Sequence, residues 1–177
     1  MRAVVGLGNP GPDYAATRHN AGFLLADALA EQWKLPPFRR AERARATEGT
    51  ALGVPVRILK PTTFMNHSGA ALASLRADPT FDAARDLLIL VDDFQIPLGT
   101  YRVRPDGSAG GHNGLKSIEG SLQSQQYARL RIGVGPLPDG VGDWADYVLA
   151  PFEPEELEQV ESLIPRMIEE VEKWLKS

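Results

Sequence analysis

The chain has 177 residues, of which 43% are hydrophobic, and it contains no cysteine. This length suffices for one sizeable core, and the lack of cysteine excludes disulfides, thiolate nucleophiles and cysteine-ligated zinc. The net charge of −4 argues against a surface that coats nucleic acid along its whole extent. Because no apolar run reaches the ~20 residues of a membrane span and no signal-peptide core follows Met1, we expect a soluble, cytoplasmic protein.

The first predicted element is a buried strand over residues 3–5, which ends in a loop containing Gly6, Gly8 and Gly11. These glycines match the dinucleotide-binding spacing, which requires a helix to open directly on them. Pro10 and Pro12 interrupt the backbone there, so a dinucleotide site is rejected. Pro10 also forces extended backbone on Asn9, which holds the Asn9 amide stiffly at the end of the strand.

The later elements alternate between helices and strands. A helix is predicted from about His19, with one face formed by Phe23, Leu24, Ala28, Leu29 and Trp33. Further strands are predicted over 54–60, 87–91, 100–104 and 130–134, and further helices over 64–75, 113–122 and 154–176. The strand 87–91 reads as buried on both faces, 130–134 as half-exposed and 100–104 as an edge strand. This alternation predicts a single three-layer α/β domain over residues 1–177.

Two further features of the second half carry predictions. Pro165 should kink the last helix or split it into two. The Gly- and Pro-rich segment 135–142 is predicted to be a mobile flap.

Basic residues cluster in two parts of the chain. The first cluster is Arg39, Arg40, Arg43 and Arg45, and the second half contains Arg102, Arg104, Lys116, Arg129 and Arg131. Solvated surface is the plain interpretation of any one of these arginines. A partner with phosphates is the alternative.

Each histidine of the chain lies beside an asparagine, in the pairs His19-Asn20, Asn66-His67 and His112-Asn113. The one remaining asparagine is Asn9. Asparagine commonly forms surface turns, and none of the four follows that pattern. The distribution suggests that these amides are placed for recognition.

His19 is the candidate catalytic base, because a neutral imidazole can take a proton from water near neutral pH. A capping or packing role is the plain alternative. Asp92 follows the buried strand 87–91, at the strand end where α/β folds place their sites. Its carboxylate could accept the imidazole Nδ1–H and fix the ring tautomer. A strand-ending turn or a metal pair are the alternatives for Asp92 and Asp93, and metal is the weaker one.

The sequence indicates water as the nucleophile, because Ser68 lacks the surroundings of a nucleophile elbow. Asn66 is either a helix N-cap or a ligand for a peptide backbone, since its amide offers a donor and an acceptor. The segment 110–114, Gly-Gly-His-Asn-Gly, is more specific, although a glycine-rich helix cap is its plain alternative. Its glycines let a ligand approach the backbone, and Asn113 stands at a helix N-terminus with free N–H groups.

Five segments in order resemble the bacterial peptidyl-tRNA hydrolase family. They are Gly-Leu-Gly-Asn-Pro-Gly with Tyr14 and Thr-Arg-His-Asn-Ala-Gly, then Pro-Thr-Thr-Phe-Met-Asn at 61–66, Asp92-Asp93 with 96–99, residues 110–116, and residues 129–133. The resemblance covers nearly the whole chain, and several long motifs in order are far more specific than any one alone.

This resemblance implies hydrolysis of the ester that joins a peptide C-terminus to the 3′ ribose of tRNA, which recycles prematurely released peptidyl-tRNA. It implies a monomeric three-layer α/β/α sandwich with a mixed, twisted central sheet and no metal or cofactor. The implied partner is the acceptor end and 3′ CCA of peptidyl-tRNA, with no membrane contact.

Matching positions imply the residue roles. His19 becomes the base that activates water, Asp92 orients it, and Asn9 positions the substrate carbonyl or its oxyanion. The other implied substrate-binding residues are Tyr14, Phe64, Asn66, His112 and Asn113, of which Asn66 and Asn113 grip the peptide backbone. Basic residues that face tRNA phosphate match Arg102, Arg104 and Arg131.

Several positions depart from the family pattern: His67, Val91, Gln95 and Ala109. Val91 and Ala109 stand where histidine is common, Gln95 replaces an acidic residue, and His67 replaces an apolar one. The departures spare the implied catalytic groups and bear on loop dynamics and tRNA affinity. Two other functions stay open: a family member that binds RNA or protein without turnover, and a general esterase.

Overall fold

A seven-stranded sheet forms the centre of the computed structural model, which describes residues 1–140 and 142–177. The strands are β1 (Arg2–Gly6), β2 (Arg39–Ala41), β3 (Ala44–Ala51), β4 (Val54–Pro61), β5 (Leu87–Pro97), β6 (Tyr101–Arg104) and β7 (Ala128–Gly135), in the order β2-β3-β4-β1-β5-β7-β6. The four central strands are parallel, and β2, β3 and β6 join by antiparallel pairing, so the predicted mixed sheet is confirmed.

Helices cover both faces of this sheet and complete the predicted three layers. They are α1 (Ala21–Gln32), α2 (Ala73–Arg76), α3 (Ala83–Asp86), α4 (Asn113–Leu122), α5 (Trp144–Leu149) and α6 (Pro154–Leu175), with 3-10 segments at Arg18–Asn20 and Met65–Leu72. Successive side chains of a strand point to opposite faces. Leu88 and Leu90 therefore pack in the core beneath α1 and α6, while Leu87, Ile89 and Val91 pack beneath α4.

The predicted site lies where the central strand β5 extends beyond the end of its neighbour β1. The pairing of β1 with β5 ends at Gly6 opposite Leu90, whereas β5 continues beside β7. Asp92 therefore lies inside β5, opposite Ile132, and the prediction that it follows the strand was wrong. Beyond Leu90, β5 has no β1 neighbour, which leaves room for other elements to approach Asp92.

Close packing explains two of the three glycines that imitate a dinucleotide motif, whereas Gly11 is required by its backbone φ of +101°. A Cβ atom on Gly6 would lie 2.5 Å from the Gly22 carbonyl oxygen, and one on Gly8 would lie 2.8 Å from the Phe23 ring. Both contacts are too short for real atoms, so the start of α1 can press against the end of β1 only across glycine. These residues serve packing, which agrees with the rejection of a dinucleotide site.

Several predicted details were wrong. Residues 64–75 begin as a 3-10 segment instead of an α-helix, and β7 is buried along its length except at Arg131. The buried face of α1 is shifted from the predicted one and comprises Ala21, Gly22, Leu25, Ala26, Leu29 and Ala30. The helix α6 is not split at Pro165, which lies exposed, where water can satisfy the carbonyl that loses its N–H partner.

The sequence analysis missed the β2–β3 hairpin, α3 and α5. The flap predicted at 135–142 includes Val141, which lies outside the described residues. The mobility of that segment stays a prediction. Among the helices formed by the described residues, none is both long enough and apolar enough to cross a membrane.

Candidate active site

His19 and Asp92 meet in the structure, although they are 73 residues apart in the chain. The Nδ1 atom of His19 lies 2.8 Å from Oδ2 of Asp92. His19 sits on the 3-10 turn before α1 and is 5% exposed, while Asp92 is 2% exposed. The predicted convergence of imidazole and carboxylate is therefore present, and it leaves the Nε2 atom of His19 as the ring nitrogen without a hydrogen bond to the carboxylate.

A second histidine holds the other oxygen of the same carboxylate. The Nε2 atom of His112 lies 2.9 Å from Oδ1 of Asp92. The Nδ1 atom of His112 accepts hydrogen bonds from the backbone N–H groups of Gly114 and Leu115, at 3.0 and 3.3 Å, and so caps the start of α4. Because Nδ1 acts as an acceptor, Nε2 must carry the proton that it donates to Asp92.

This geometry changes the prediction for His112. The resemblance implies a residue that contacts the substrate, whereas the structure places its ring against Asp92, with its side chain 11% exposed. The glycine-rich sequence around it is typical of a helix cap, and the cap is present. The sequence carries no signal that the same ring would reach β5 with its second nitrogen.

The two imidazoles keep Asp92 ionised in spite of its burial. Burial raises the pKa of the Asp92 carboxyl, but the charges and hydrogen bonds of His19 and His112 outweigh burial and lower the pKa to about 2. The carboxylate therefore accepts from both rings at neutral pH. A neutral His19 then carries its proton on Nδ1, and the lone pair of Nε2 is available to a proton from water.

The ligand atoms of His19, Asp92 and His112 lie within 4.8 Å of one another, close enough to surround a metal ion. The hydrogen bonds of His112 disfavour that use. Its Nδ1 atom is engaged by two N–H groups, so the Nε2 atom is protonated and has no lone pair for a metal. The arrangement suits proton transfer better than metal binding.

Asn9 is fixed so that its amide nitrogen is the free end of the side chain. Its Oδ1 atom accepts the N–H of Met65 at 2.7 Å. Asn20 holds the Asn9 backbone on both sides: its Oδ1 accepts the Asn9 N–H at 2.8 Å, and its Nδ2 donates to the Asn9 carbonyl at 2.9 Å. Within residues 1–140 and 142–177 the Nδ2 of Asn9 has no partner, so it is available as a donor. Sequence reasoning missed Asn20, although its place among only four asparagines was a signal.

The remaining predicted binding residues lie at the outer edge of the site. Asn66 and Asn113 are exposed, and neither side chain makes a hydrogen bond within the described part of the chain. Phe64 occupies the N-cap position of the 3-10 segment, so the interpretation of Asn66 as a cap was wrong. Phe64 is 51% exposed, and its ring contacts that of Tyr14 edge-on with centroids 6.2 Å apart.

Phe64 also has a strained backbone. Its φ is +60°, a left-handed conformation that a bulky residue adopts only at a cost of ~1–3 kcal/mol. The next residue is Met65, whose N–H fixes the Asn9 amide. The strain therefore lies directly beside the contact that aims Asn9, and it turns an aromatic ring toward solvent.

A buried arginine fixes the turn that carries His19. Arg18 donates from Nη1 to the Tyr147 carbonyl at 3.0 Å and from Nη2 to Glu156 Oε1 at 2.6 Å. Its guanidinium lies 4.0 Å from the centre of the Tyr147 ring. The helix α5 and the first turn of α6 thus clamp the residue next to the candidate base, a role that sequence reasoning did not assign.

The three arginines predicted to face tRNA differ in whether their guanidinium groups are paired within the protein. Arg102 and Arg104 are exposed on the edge strand β6. Arg131 lies opposite Arg102 on β7, where it bonds Asp93 Oδ2 at 3.2 Å and the Ser108 carbonyl at 2.8 Å. Arg102 and Arg104 therefore present their guanidinium groups to solvent without an ion pair to a described residue, and Arg104 Nη1 donates to the neighbouring Val103 carbonyl at 3.1 Å.

Two of the four departures from the family pattern adjoin the Asp92 cluster along the backbone: Val91 precedes Asp92 in β5, and Ala109 lies three residues before His112. Val91 and Ala109 are buried in the core beneath α4, and His67 and Gln95 are exposed. The side chains of these four residues make no hydrogen bond to His19, Asp92 or His112 within the described part of the chain, although the Ala109 carbonyl accepts the His112 backbone N–H at 3.0 Å.

Comparison with known proteins gives a consistent result. The sequence profile of a family described as peptidyl-tRNA hydrolase matches residues 3–177. A peptidyl-tRNA hydrolase of Gemmatimonas aurantiaca is 45% identical over 177 residues, which cover 99% of this chain and 93% of that protein. One of Chloroflexus aggregans is 45% identical over 172 residues, covering 97% and 91%. The crystal structure of peptidyl-tRNA hydrolase from Acinetobacter baumannii superposes with a TM-score of 0.91 at 31% identity, covering 99% of this chain and 89% of the other.

Proposed function

The chain belongs to the peptidyl-tRNA hydrolase family, and we propose that it cleaves the ester bond between a peptide C-terminus and the 3′ ribose of tRNA. The observation that carries the proposal is the His19–Asp92 contact of 2.8 Å with the second imidazole nitrogen left open. A protein that only binds its ligand has no need of a buried base with an orienting carboxylate. The reaction recycles tRNA from peptidyl-tRNA that has been released prematurely.

The reaction proceeds by attack of water on the ester. His19 Nε2 takes a proton from a water molecule as its oxygen bonds the carbonyl carbon, and Asp92 stabilises the imidazolium that forms. The C–O bond to the ribose then breaks, and the imidazolium gives its proton to the departing 3′ oxygen. The products are a peptide carboxylic acid and a free 3′ hydroxyl.

Asn9 supplies the donor for the developing oxyanion. Its Nδ2 atom is fixed in direction by the Met65 N–H and by the clasp of Asn20 before the substrate arrives. A preorganised donor of this kind contributes about 3–4 kcal/mol to catalysis, and a placed general base adds about 10²–10⁴ in rate. An ester is reactive enough for these two contributions to be sufficient.

His112 is a positioning residue in this mechanism. By donating to Oδ1 of Asp92, it leaves Oδ2 as the oxygen that accepts the His19 Nδ1–H. His19 is thereby held in the tautomer whose Nε2 is unprotonated. Arg18 supports the same outcome from the other side by anchoring the turn to Glu156.

The exposed carboxamides of Asn66 and Asn113 bind the peptide backbone, and Tyr14 and Phe64 form the edge of the site near the tRNA 3′ end. Amides that read backbone groups accept any peptide sequence, which suits a substrate whose peptide varies. Arg102 and Arg104 face tRNA phosphate, and Arg131 joins them when a phosphate replaces Asp93 as its partner. We further propose that the whole chain acts as one domain, as a monomer and in the cytoplasm. Light scattering after size-exclusion chromatography tests the monomer.

Release of peptide from N-acetyl-phenylalanyl-tRNA tests the function. We expect the wild-type chain to release it and His19→Ala to lose turnover while keeping its thermal unfolding transition. A non-catalytic RNA-binding relative would release nothing, and a general esterase would be indifferent to Arg102→Gln and Arg104→Gln. Wild-type rates in His19→Ala would refute the mechanism.

A further inference from the structure

The β2–β3 hairpin and β4 bring three cations into one row across the sheet. Arg40 lies directly opposite Arg45, and Arg45 lies directly opposite Lys60. Residues opposite each other on neighbouring strands have Cβ atoms ~4.5–5.5 Å apart and share one face of the sheet. We name Arg40, Arg45 and Lys60 the cation row.

This arrangement is electrostatically unfavourable for the protein by itself. Like charges directly opposite each other destabilise a sheet. Lys60 is neutralised, because its Nζ lies 2.6 Å from Asp27 Oδ1. Arg40 and Arg45 are exposed, and neither forms an ion pair with any described residue. The row therefore presents two uncompensated guanidinium groups to solvent.

The turn of the same hairpin carries a second unfavourable feature. Arg43 has φ of +58°, a left-handed conformation that costs a residue with a Cβ atom ~1–2 kcal/mol and that glycine or asparagine adopts more easily. Its side chain is exposed beside the cation row. The hairpin therefore keeps arginine at positions where it is unfavourable for two independent reasons: repulsion between Arg40 and Arg45, and the backbone conformation of Arg43.

The inner end of the cation row adjoins the active site. A cavity of about 250 Å³ is lined by Arg45 and Lys60, by Asp27, which pairs with Lys60, and by Asn9 and Asn20. A neighbouring open cavity continues over the hairpin and is lined by Arg40, Arg43 and Arg45. An anion held by the row would therefore lie next to the loop that positions Asn9.

We propose that the cation row and Arg43 bind backbone phosphates of the tRNA part of the substrate. The inference rests on the proposed function, because that function supplies a polyanion close to the ester. An acidic peptide would also suit the charge, but peptides vary between substrates whereas phosphates are always present. The edge strands β2 and β6 are six strand spacings apart, or ~29 Å, so this surface is separate from Arg102 and Arg104.

The test compares two variants that each lose three positive charges. One is Arg40→Gln, Arg43→Gln and Arg45→Gln, and the control is Lys34→Gln, Arg166→Gln and Lys176→Gln, at exposed positions outside the hairpin. Fluorescence anisotropy gives the dissociation constant of deacylated tRNA over a series of salt concentrations. Initial rates with N-acetyl-phenylalanyl-tRNA give kcat and KM, and thermal unfolding gives Tm.

For the hairpin variant we expect about tenfold weaker tRNA binding at low salt. The salt slope should be smaller by about 2–3, one unit for each phosphate that the protein no longer neutralises. KM should rise in parallel with unchanged kcat, and Tm should stay the same or increase, because repulsion is relieved. A purely structural role would instead lower Tm. The control variant should bind tRNA within about twofold of the wild type.

An unchanged dissociation constant and salt slope in the hairpin variant would overturn the inference, while continued hydrolysis would leave the proposed function standing. Absence of hydrolysis by the wild type would refute the function, and the tRNA-binding data would still decide about the hairpin. A further outcome is that the hairpin variant binds deacylated tRNA normally and loses activity only with substrates that carry an acidic peptide. That result would make the cation row a peptide-binding site and would also overturn the inference.

Discussion

The inner and outer halves of the cleft differ in how their polar groups are satisfied. In the inner half, His19, Asp92 and Asn9 are buried, and their positions are fixed by hydrogen bonds within the protein. In the outer half, Asn66 and Asn113 are exposed, and within the described residues their amides bond nothing. Groups that are fixed before the substrate arrives can lower a barrier, whereas groups that wait for a partner mainly bind it. The two halves should therefore respond differently to mutation.

Among the variants that retain His19, the largest effect should come from Asp92→Asn. His112 cannot change its tautomer, because its Nδ1 accepts the Gly114 and Leu115 N–H groups, so it claims the single amide oxygen of the new side chain. The amide NH₂ then faces His19 Nδ1 and forces the proton onto Nε2, where the base is needed. By analogy with the serine-protease triad, kcat should fall about 10⁴-fold. Rapid-quench measurement of peptide release checks this.

Asp92→Asn should fold, because its side chain has the same shape as that of aspartate. A decrease of less than about tenfold in kcat, with the native circular dichroism spectrum preserved, would show that the carboxylate does not fix the tautomer.

Asn9→Ala should lower kcat about 10²–10³-fold, as expected when an oxyanion donor is removed. The matched variant Asn20→Ala keeps that donor but releases the backbone clasp, so its effect should be smaller and in the same direction. Steady-state rates at saturating substrate measure both. An increase in KM alone would move Asn9 to the outer, binding half of the cleft.

The third effect concerns stability in acid. The pKa of Asp92 is about 2 in the folded protein and near its ordinary value of 3.8 when unfolded, so its ionisation stabilises the fold above about pH 4. This contribution of about 2 kcal/mol should disappear as the pH falls through 2. Chemical denaturation between pH 5 and pH 2 should show the decrease for the wild type, whereas Asp92→Asn should lack it. Parallel curves for the two proteins would contradict the account.

The smallest effects should come from the outer half. Asn66→Ala and Asn113→Ala should each raise KM about 3–10-fold with little change in kcat, because each removes a hydrogen bond worth ~1 kcal/mol that forms only with substrate. The unfolding temperature should not change, since neither amide bonds a described residue. A large decrease in kcat for either variant would erase the distinction between the two halves.

The sequence predicted the parts of this site that depend on local pattern. The end of β1 was visible in its glycines, the start of α4 in the Gly-Gly-His-Asn motif, and Asp92 in the apolar run before it. The contact of His19 with Asp92 was predicted from the chemistry that the two residues share.

Other features could not be predicted, because they depend on contacts that only the fold creates. The second bond of Asp92 requires His112 to reach β5 from the cap of α4, and the clamp of Arg18 requires α6 to approach the start of α1. The β2–β3 hairpin was missed because its exposed arginines hide the alternation of apolar residues.

The most direct test of the account is the protonation of the His19 ring, read from ¹⁵N NMR shifts at a pH that keeps the imidazole neutral. We predict that Nδ1 carries the proton and Nε2 does not in the wild type, and that Asp92→Asn reverses this assignment. A wild-type His19 with its proton on Nε2 would contradict the claim that Asp92 prepares this ring to activate water.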